Sequence, residues 1–261
     1  MIWDPGQYLK FEAERLRPAV DLLARVALDA PRAIVDVGCG TGNVTRLLGE
    51  RWPEARIVGV DSSSAMLEQA RAATQGDTRY TFVEADLSTW NSSAPVDLVF
   101  SNAALHWLPG HAALFPRLIA AVAAGGVLAV QMPDNFRAPS HTTVDDLARS
   151  PRWRSKLGAL LRDAPVAPAA DYFRWLSPHA ARLDVWTTEY LQVLAPGVAR
   201  EHPVAAWTRG TWLTPLLAAL DDDEQGEFLA DYSARLDIAY PALPDGRVLF
   251  PFRRLLIVVN R

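Results

Sequence analysis

The chain has 261 residues, half of them hydrophobic, and a net charge of −4 from 26 basic and 30 acidic residues. That length buries one large core with elaborations, and the slight acidity gives no general pull toward nucleic acid or an anionic membrane. No run of about 18 apolar residues is present to span a bilayer, and the single cysteine, Cys39, excludes an internal disulfide and argues against a structural zinc site. The start, MIWDPGQYLKFEAER, is mixed and charged without an apolar leader core, which points to a cytoplasmic protein. Lys10 and Lys156 are the only lysines. Composition accounts for that bias, yet single arginines suit carboxylates because the guanidinium fork matches two oxygens.

The first half alternates strand and helix patterns. Residues 33–38 (AIVDVG) are a short apolar run ending at glycines, read as a buried parallel strand. NVTRLLGERW then puts Val44, Leu47, Leu48 and Trp52 on one helical face, and Pro53 ends it. RIVGVD at 56–61 is a second strand, and Ser62 to Ser64 supply N-cap candidates for a helix to about Thr74. YTFVEAD at 80–86 and VDLVFSN at 96–102 are the third and fourth strands. A helix from about Ala112 to Ala123 and a fifth strand at 125–132 complete a doubly wound pattern.

After Pro133 the texture changes. Residues 134–184 hold short helical stretches and prolines, VWTTEYLQVL at 185–194 reads as a strand, 195–252 as mainly helical, and RRLLIVVN at 253–260 as the last strand. The expected organisation is one compact unit. An α/β part at 1–133 is completed by the two late strands, and the helical pieces 134–184 and 195–252 cap its binding edge.

The densest motif is DVGCGTG at 36–42, a strand running into Gly38, Gly40 and Gly42 with a helix immediately after. Glycine permits the tight turn and a close backbone approach to a ligand; a plain tight turn explains such a string on its own in a sizeable share of cases. The spacing is G-x-G-x-G with Asp36 just before it, whereas a dinucleotide loop reads G-x-G-x-x-G, and a pyrophosphate disfavours an adjacent carboxylate. This pattern resembles motif I of the class I S-adenosylmethionine-dependent methyltransferases, whose cofactor carries cations and no phosphate. Asp61 ends the second strand, where a carboxylate accepts two ribose hydroxyls; capping the next helix is its competing role. Asp86 ends the third strand, and in the family that position takes the adenine amino group, with Ala85 and Leu87 near the ring. SNAALHWL at 101–108 resembles motif IV. Asn102 is followed there by Ala103 and Ala104, not by Pro-Pro-Tyr, which argues against amino methylation of DNA adenine or protein glutamine.

Beyond these motifs the chain resembles the trans-aconitate 2-methyltransferase family over nearly its whole length. The stretches are MIWDPGQYL, NAALHWLPGH, QMPDNFRAPSH, VWTTEYLQVL, WTRGTWLTP and AYPALPDGRVLFPFRRLLIV. The resemblance implies a Rossmann-like α/β fold with a seven-stranded, mostly parallel sheet, one antiparallel edge strand and a mostly helical cap. It implies methyl transfer from S-adenosyl-L-methionine to a carboxylate of trans-aconitate, with S-adenosyl-L-homocysteine as product and no metal. Cofactor contacts fall on Asp36, Gly38, Cys39, Gly40, Asp61, Ser62, Met66, Ala85, Asp86, Leu87, Asn102, Ala103 and Trp107. Cys39 gets no catalytic role, since ester formation needs no covalent enzyme intermediate.

A carboxylate is ionised near neutral pH and needs no general base. A trianion costs much to desolvate unless cations and N–H or O–H donors receive it. The favoured substrate contacts are therefore His141, Trp207, Arg209 and Arg253, with His106 from motif IV; Arg137, Thr211, Tyr240 and Arg254 are further candidates. Arg253 and Arg254 alternate faces, so at most one points inward. Any of these arginines also suits a surface ion pair, Trp207 suits a core, and His141 suits a loop. Trp3 and Tyr8 are placed either over the cofactor or in packing. Expected partners are a small-molecule tricarboxylate, with neither nucleic acid nor membrane, and the chain is expected to act as a monomer. Competing readings are a methyltransferase for another small carboxylate or hydroxyl metabolite, a non-catalytic S-adenosylmethionine-binding regulator, and a nicotinamide dehydrogenase.

Overall fold

A computed structural model describes residues 12–197 and 201–261. Trp3 and Tyr8 lie outside the described residues. In chain order the elements are α1 (Glu12–Leu23), β1 (Ala33–Val37), α2 (Asn43–Arg51), β2 (Arg56–Asp61), α3 (Ser64–Ala73), β3 (Tyr80–Glu84) and β4 (Val96–Asn102). A 3-10 turn at Leu105–Trp107 follows, then α4 (His111–Ala120) and β5 (Val122–Pro133). After these come α5 (Pro139–Arg149), α6 (Arg154–Leu157), α7 (Ala169–Leu176), β6 (Arg182–Leu194), α8 (Pro203–Arg209), α9 (Thr214–Leu217), α10 (Asp222–Ala239) and β7 (Val248–Asn260).

The strands form one seven-stranded sheet in the order β3-β2-β1-β4-β5-β7-β6. The pairs β2–β3, β1–β2, β1–β4 and β4–β5 are parallel. β7 runs antiparallel to β5, with β6 beyond it at the end of the sheet. The parallel strands β1, β2 and β4 are short, mostly buried apolar runs, as strands covered on both faces are, whereas β3 at the end of the sheet is mostly exposed.

The chain divides into two compact units. One comprises Arg15–Pro133, Pro165–Thr188 and Arg254–Arg261; described residues of the other lie in Asp134–Ala164 and Glu189–Arg253. Residues 165–184 thus belong with the sheet strands, not with the helical cap as the sequence suggested. Tyr172 on α7 explains this: fully buried, it hydrogen bonds to His111 on α4 at 2.6 Å and packs its ring on Phe115.

In the sheet-bearing unit, Leu22 and Val26 join Ile34, Leu48, Trp52, Ile57, Leu98, Phe100, Val127, Ala129, Leu256 and Val258 in one apolar cluster. The strand register puts the strand members of this cluster on one face. One step further along that face, at the carboxyl ends of β1, β4 and β5, the residues turn polar: Asp36, Asn102 and Gln131, with Arg254 from the antiparallel β7.

In the other unit Val144, Leu147, Trp153, Leu157, Val204, Trp207, Leu213, Leu216, Phe228, Tyr232, Leu236 and Phe250 form a second core. α10 begins with a capping box, in which Asp221 accepts from the Glu224 amide at 2.9 Å and Glu224 reaches back to the Asp221 amide at 3.1 Å.

Several boundaries differ from expectation: β6 begins at Arg182 and not at 185, and α4 ends at Ala120 and not near Ala123. β3 stops at Glu84, so Ala85 and Asp86 lie in the turn after it. β5 begins three residues earlier, at Val122. β7 begins at Val248, so 248–252 are strand and not cap.

Candidate functional site

The glycine loop is built by backbone geometry. Gly38, Gly40 and Gly42 all adopt positive φ, at 77°, 54° and 79°. A Cβ on Gly38 would stand 2.1 Å from the Ala104 Cβ, an impossible contact, so the loop closes on motif IV only through a bare backbone. Nothing lies within 4 Å of a Cβ built on Gly40, so a ligand can approach the loop there. The amides of Gly38 and Cys39 both donate to the Val60 carbonyl, at 2.7 and 3.1 Å, which ties the loop to the end of β2.

Asp61 is locked at the end of β2. Its Oδ2 accepts from the Gly40 amide at 2.9 Å and its Oδ1 from the Ser63 amide at 3.0 Å. Each carboxylate oxygen has a second lone pair, so both remain able to accept from a vicinal diol. Ser63, not Ser62, caps α3, receiving the Met66 amide at 3.4 Å; Ser62 is exposed and Met66 is buried. The Ala85 amide donates to the Asp61 carbonyl at 3.0 Å. Asp86 is exposed and accepts from the Ser88 amide at 2.8 Å. Hydrogen bonding from Ser88 holds its carboxyl below the usual range. Leu87 is buried beside the loop, its Cδ1 at 3.5 Å from the Gly38 Cβ position.

Asp36 sits fully buried beneath the loop. Burial pushes its carboxyl up to about 7, against a lowering bond from Thr45 Oγ1 at 2.7 Å, and the nearby Asp61 charge raises it further. A cation arriving at the loop would favour its charged form. Cys39 packs with Leu67, Ala70 and Phe82, and burial pushes its thiol up.

At the end of β4, Ser101 Oγ donates to the Val37 carbonyl at 2.7 Å and the Ala103 amide to the Gln131 carbonyl at 2.9 Å. Ala103 has φ 52°, the one non-glycine at positive φ among the described residues. A left-handed alanine costs about 1–2 kcal/mol, and such strain concentrates at functional sites. Asn102 Oδ1 is buried and accepts no hydrogen bond. The following 3-10 turn carries His106, half-buried, with its ring 4.8 Å from that of the exposed Trp107. Its first residue, Leu105, is pinned from below. His111 Nε2 donates to the Leu105 carbonyl at 2.9 Å, its Nδ1 accepts from Tyr172 Oη at 2.6 Å, and Tyr172 Oη accepts from the Ala167 amide at 3.1 Å. Burial lowers the His111 pKa, which keeps the ring in the neutral form this chain requires.

The glycine spacing, the open backbone at Gly40, the spare lone pairs of Asp61 and the orphaned Asn102 acceptor fit one ligand. It has a diol, an ammonium and no phosphate, as S-adenosyl-L-methionine does. The expected contacts Asp36, Gly38, Cys39, Gly40, Asp61, Ser62, Met66, Ala85, Asp86, Leu87, Asn102, Ala103 and Trp107 all belong to the sheet-bearing unit. Among the described residues no cluster of His, Cys, Asp and Glu is arranged to hold a metal. No helix there is long and apolar enough to cross a membrane.

The expected acceptor contacts scatter more widely. His106 is on the sheet-bearing unit; His141, Trp207, Arg209 and Arg253 are on the other. His141 is buried, and burial alone lowers its pKa to about 3. Asn135 Nδ2 donates to Ser140 Oγ at 3.2 Å, and Ser140 Oγ hydrogen bonds with His141 Nδ1 at 3.0 Å. Phe136 and Trp212 flank the imidazole at 5.3 and 5.1 Å, and Arg162 lies 4.8 Å above Trp212. Trp207 is a core residue packed edge-on against Phe250. Arg209 pairs with Glu201 at 2.8 Å and Arg253 with Asp134 at 2.6 Å, so both arginines favoured for a substrate carboxylate meet a carboxylate of the chain itself. Arg253 is half exposed whereas Arg254 is 3 % exposed, so Arg254 is the inward member of that pair. Gln131, Trp212 and Arg162 were not singled out from sequence. Gln131 had a signal, a polar side chain closing the apolar run of β5; the other two are visible only through contacts distant in the chain.

Residues 34–126 match the family model described as a methyltransferase domain. The chain is 49% identical over 259 residues to the trans-aconitate 2-methyltransferase of Azoarcus sp. (strain BH72), covering 99% of each. It is 47% identical to the protein of that name from Methylobacterium nodulans, covering 99% of this chain and 98% of the relative. Among solved structures it resembles the YcgJ protein of Bacillus subtilis, with TM-score 0.61 at 13% identity over 94% of this chain and 99% of that one. It also resembles a Haemonchus contortus phosphoethanolamine N-methyltransferase in complex with S-adenosylhomocysteine, with TM-score 0.55 at 16% identity over 94% of this chain and 52% of that one.

Proposed function

The chain belongs to the trans-aconitate 2-methyltransferase family, and from that membership we propose that it transfers the methyl group of S-adenosyl-L-methionine to one carboxylate of trans-aconitate, giving the monomethyl ester and S-adenosyl-L-homocysteine. The observation that carries this reading is identity near one half across 99% of both chains, which extends well past the methyltransferase domain at 34–126. When bound, the cofactor supplies a sulfonium methyl open to attack by an anionic oxygen.

The chain's own residues bind, orient and exclude water. Asp61 takes the ribose hydroxyls, with its carboxylate held by the Gly40 and Ser63 amides. Asp86, Ala85 and Leu87 receive the adenine. Asp36 balances the cofactor's positive charge beneath the loop, and Asn102 Oδ1 accepts from its ammonium. The acceptor carboxylate is already ionised, so no side chain acts as acid or base. The enzyme's contribution is alignment, worth about 7–11 kcal/mol in favourable cases. On the acceptor side His106, in the turn after β4, offers a ring nitrogen, while Trp207 supports the second core. The protein acts as a monomer in the cytoplasm on a small tricarboxylate.

The test is methyl transfer from labelled S-adenosyl-L-methionine to trans-aconitate, cis-aconitate, isocitrate and a fatty acid in parallel. Turnover fastest with trans-aconitate is expected. Cofactor binding without any labelled tricarboxylate would remove the acceptor assignment and leave the cofactor assignment intact.

A further inference from the structure

Gln131 is wholly buried, yet its Nε2 donates to nothing. An amide donor left unsatisfied in a dry site costs about 1–3 kcal/mol, so a fold that retains one needs a reason. The orientation of this amide is not free to reverse. Arg254 Nη1 donates to Gln131 Oε1 at 3.4 Å, and a guanidinium has only donors to offer. The carbonyl therefore faces Arg254 and the NH2 is turned from it. Both side chains belong to the sheet-bearing unit and rise from the same face, since Gln131 pairs with Leu256 and Pro133 with Arg254.

The order of the sheet says what arrives there. Along the carboxyl edge come Asp86 after β3, Asp61 after β2, the glycine loop after β1 and Asn102 at the end of β4. On the reading proposed above these take adenine, ribose, the loop-facing part and the ammonium. The cofactor thus runs along the edge with its methyl-bearing end at β4. The next strands in order, β5 and β7, carry Gln131 and Arg254. A tricarboxylate that reaches a methyl group at β4 must lay its remaining charge near them.

We propose that the Gln131 amide, aimed by Arg254, receives a non-reacting carboxylate of the acceptor and so sets the preference for a polycarboxylate. The non-reacting group is specified because hydrogen bonds that stabilise an anion in the ground state weaken it as a nucleophile. This inference rests on the trans-aconitate reading. Gln131 is a specificity determinant in it, and Arg254 a positioning residue.

The test compares wild type with Gln131→Glu and Gln131→Met, reading KM and kcat for trans-aconitate and the Kd of S-adenosyl-L-homocysteine by calorimetry. Gln131→Glu replaces the donor by a second anion and is expected to raise KM about 10- to 100-fold. Gln131→Met removes the donor without adding repulsion and should raise KM less. Kd should stay within about twofold in both. Wild-type turnover with both variants inside twofold of its KM would overturn the inference alone. So would a parallel loss of S-adenosyl-L-homocysteine affinity, which would put Gln131 in the cofactor site or the fold. Wild type that binds S-adenosyl-L-homocysteine but leaves trans-aconitate unmethylated would overturn the parent reading and this inference together.

Discussion

The glycine-loop edge of the sheet and the surroundings of His141 are both buried polar sites, yet they are made in opposite ways. The loop is specified by backbone. Three positive-φ glycines, amides aimed at Val60 and Asp61, and one strained alanine lie within short stretches of chain. The His141 site is specified by side chains distant in sequence. Tyr240 Oη accepts from the Ser140 amide across 100 positions, and Tyr232 Oη donates to the Ser140 carbonyl across 92. A backbone-built site leaves polar groups facing outward for a ligand, as at Asp61 and Asn102. A network-built site consumes its polar groups internally, which suits it to hold a shape.

The largest expected effect is at the loop. Gly38→Ala combines a left-handed alanine with a 2.1 Å clash against Ala104, and should cost about 2–4 kcal/mol and abolish measurable cofactor binding. Thermal unfolding and calorimetry with S-adenosyl-L-homocysteine read the two effects. If Gly38→Ala bound the cofactor normally, the loop would not be the site.

Tyr232→Phe removes one buried donor from the network. It should lower stability by about 1–2 kcal/mol while leaving cofactor affinity unchanged, the reverse of a site mutation. A change in the Kd of S-adenosyl-L-homocysteine would erase the contrast between the two regions.

The two regions should also differ in the sign of their pH dependence. Asp36 has a folded pKa near 7, above the usual 3.8, so the folded state binds the extra proton between those values. Its contribution to stability is favourable at low pH and is lost as pH rises through about 7. His141 is depressed from 6.5 to about 3, so its contribution is present above 6.5 and is lost as pH falls toward 3. Asp36→Asn should raise the melting temperature at pH 8 more than at pH 5, and His141→Gln should weaken the loss of stability below pH 6. The wild-type cofactor should bind more tightly as pH rises through about 7, and Asp36→Asn should flatten that rise.

Smaller still, Arg209→Ala and Arg253→Ala break exposed ion pairs and should cost no more than about 1 kcal/mol. KM for trans-aconitate measured on both will show whether either arginine leaves its partner for substrate; values near wild type are expected.

Asp36, Asp61 and the glycines were legible because strand ends and glycine spacing are local facts. The choice between Arg253 and Arg254 needed the true start of β7. Val248, Phe250, Phe252 and Arg254 form one buried alternating row, but reading Pro251 as cap hid the phase. The placement of 165–184 with the sheet strands rested on Tyr172 meeting His111 across 61 positions, and nothing in the local pattern of either segment announces that bond.

Cys39 carries a last consequence. A thiolate is a far better nucleophile toward carbon than a carboxylate, and this one lies within the loop assigned to a methylating reagent. Burial, with the Asp36 and Asp61 charges nearby, keeps the sulfur protonated. Its position against Phe82 and Leu67 keeps it turned into the protein. The two acids that serve cofactor binding thereby also spare the enzyme from alkylating itself, turnover after turnover.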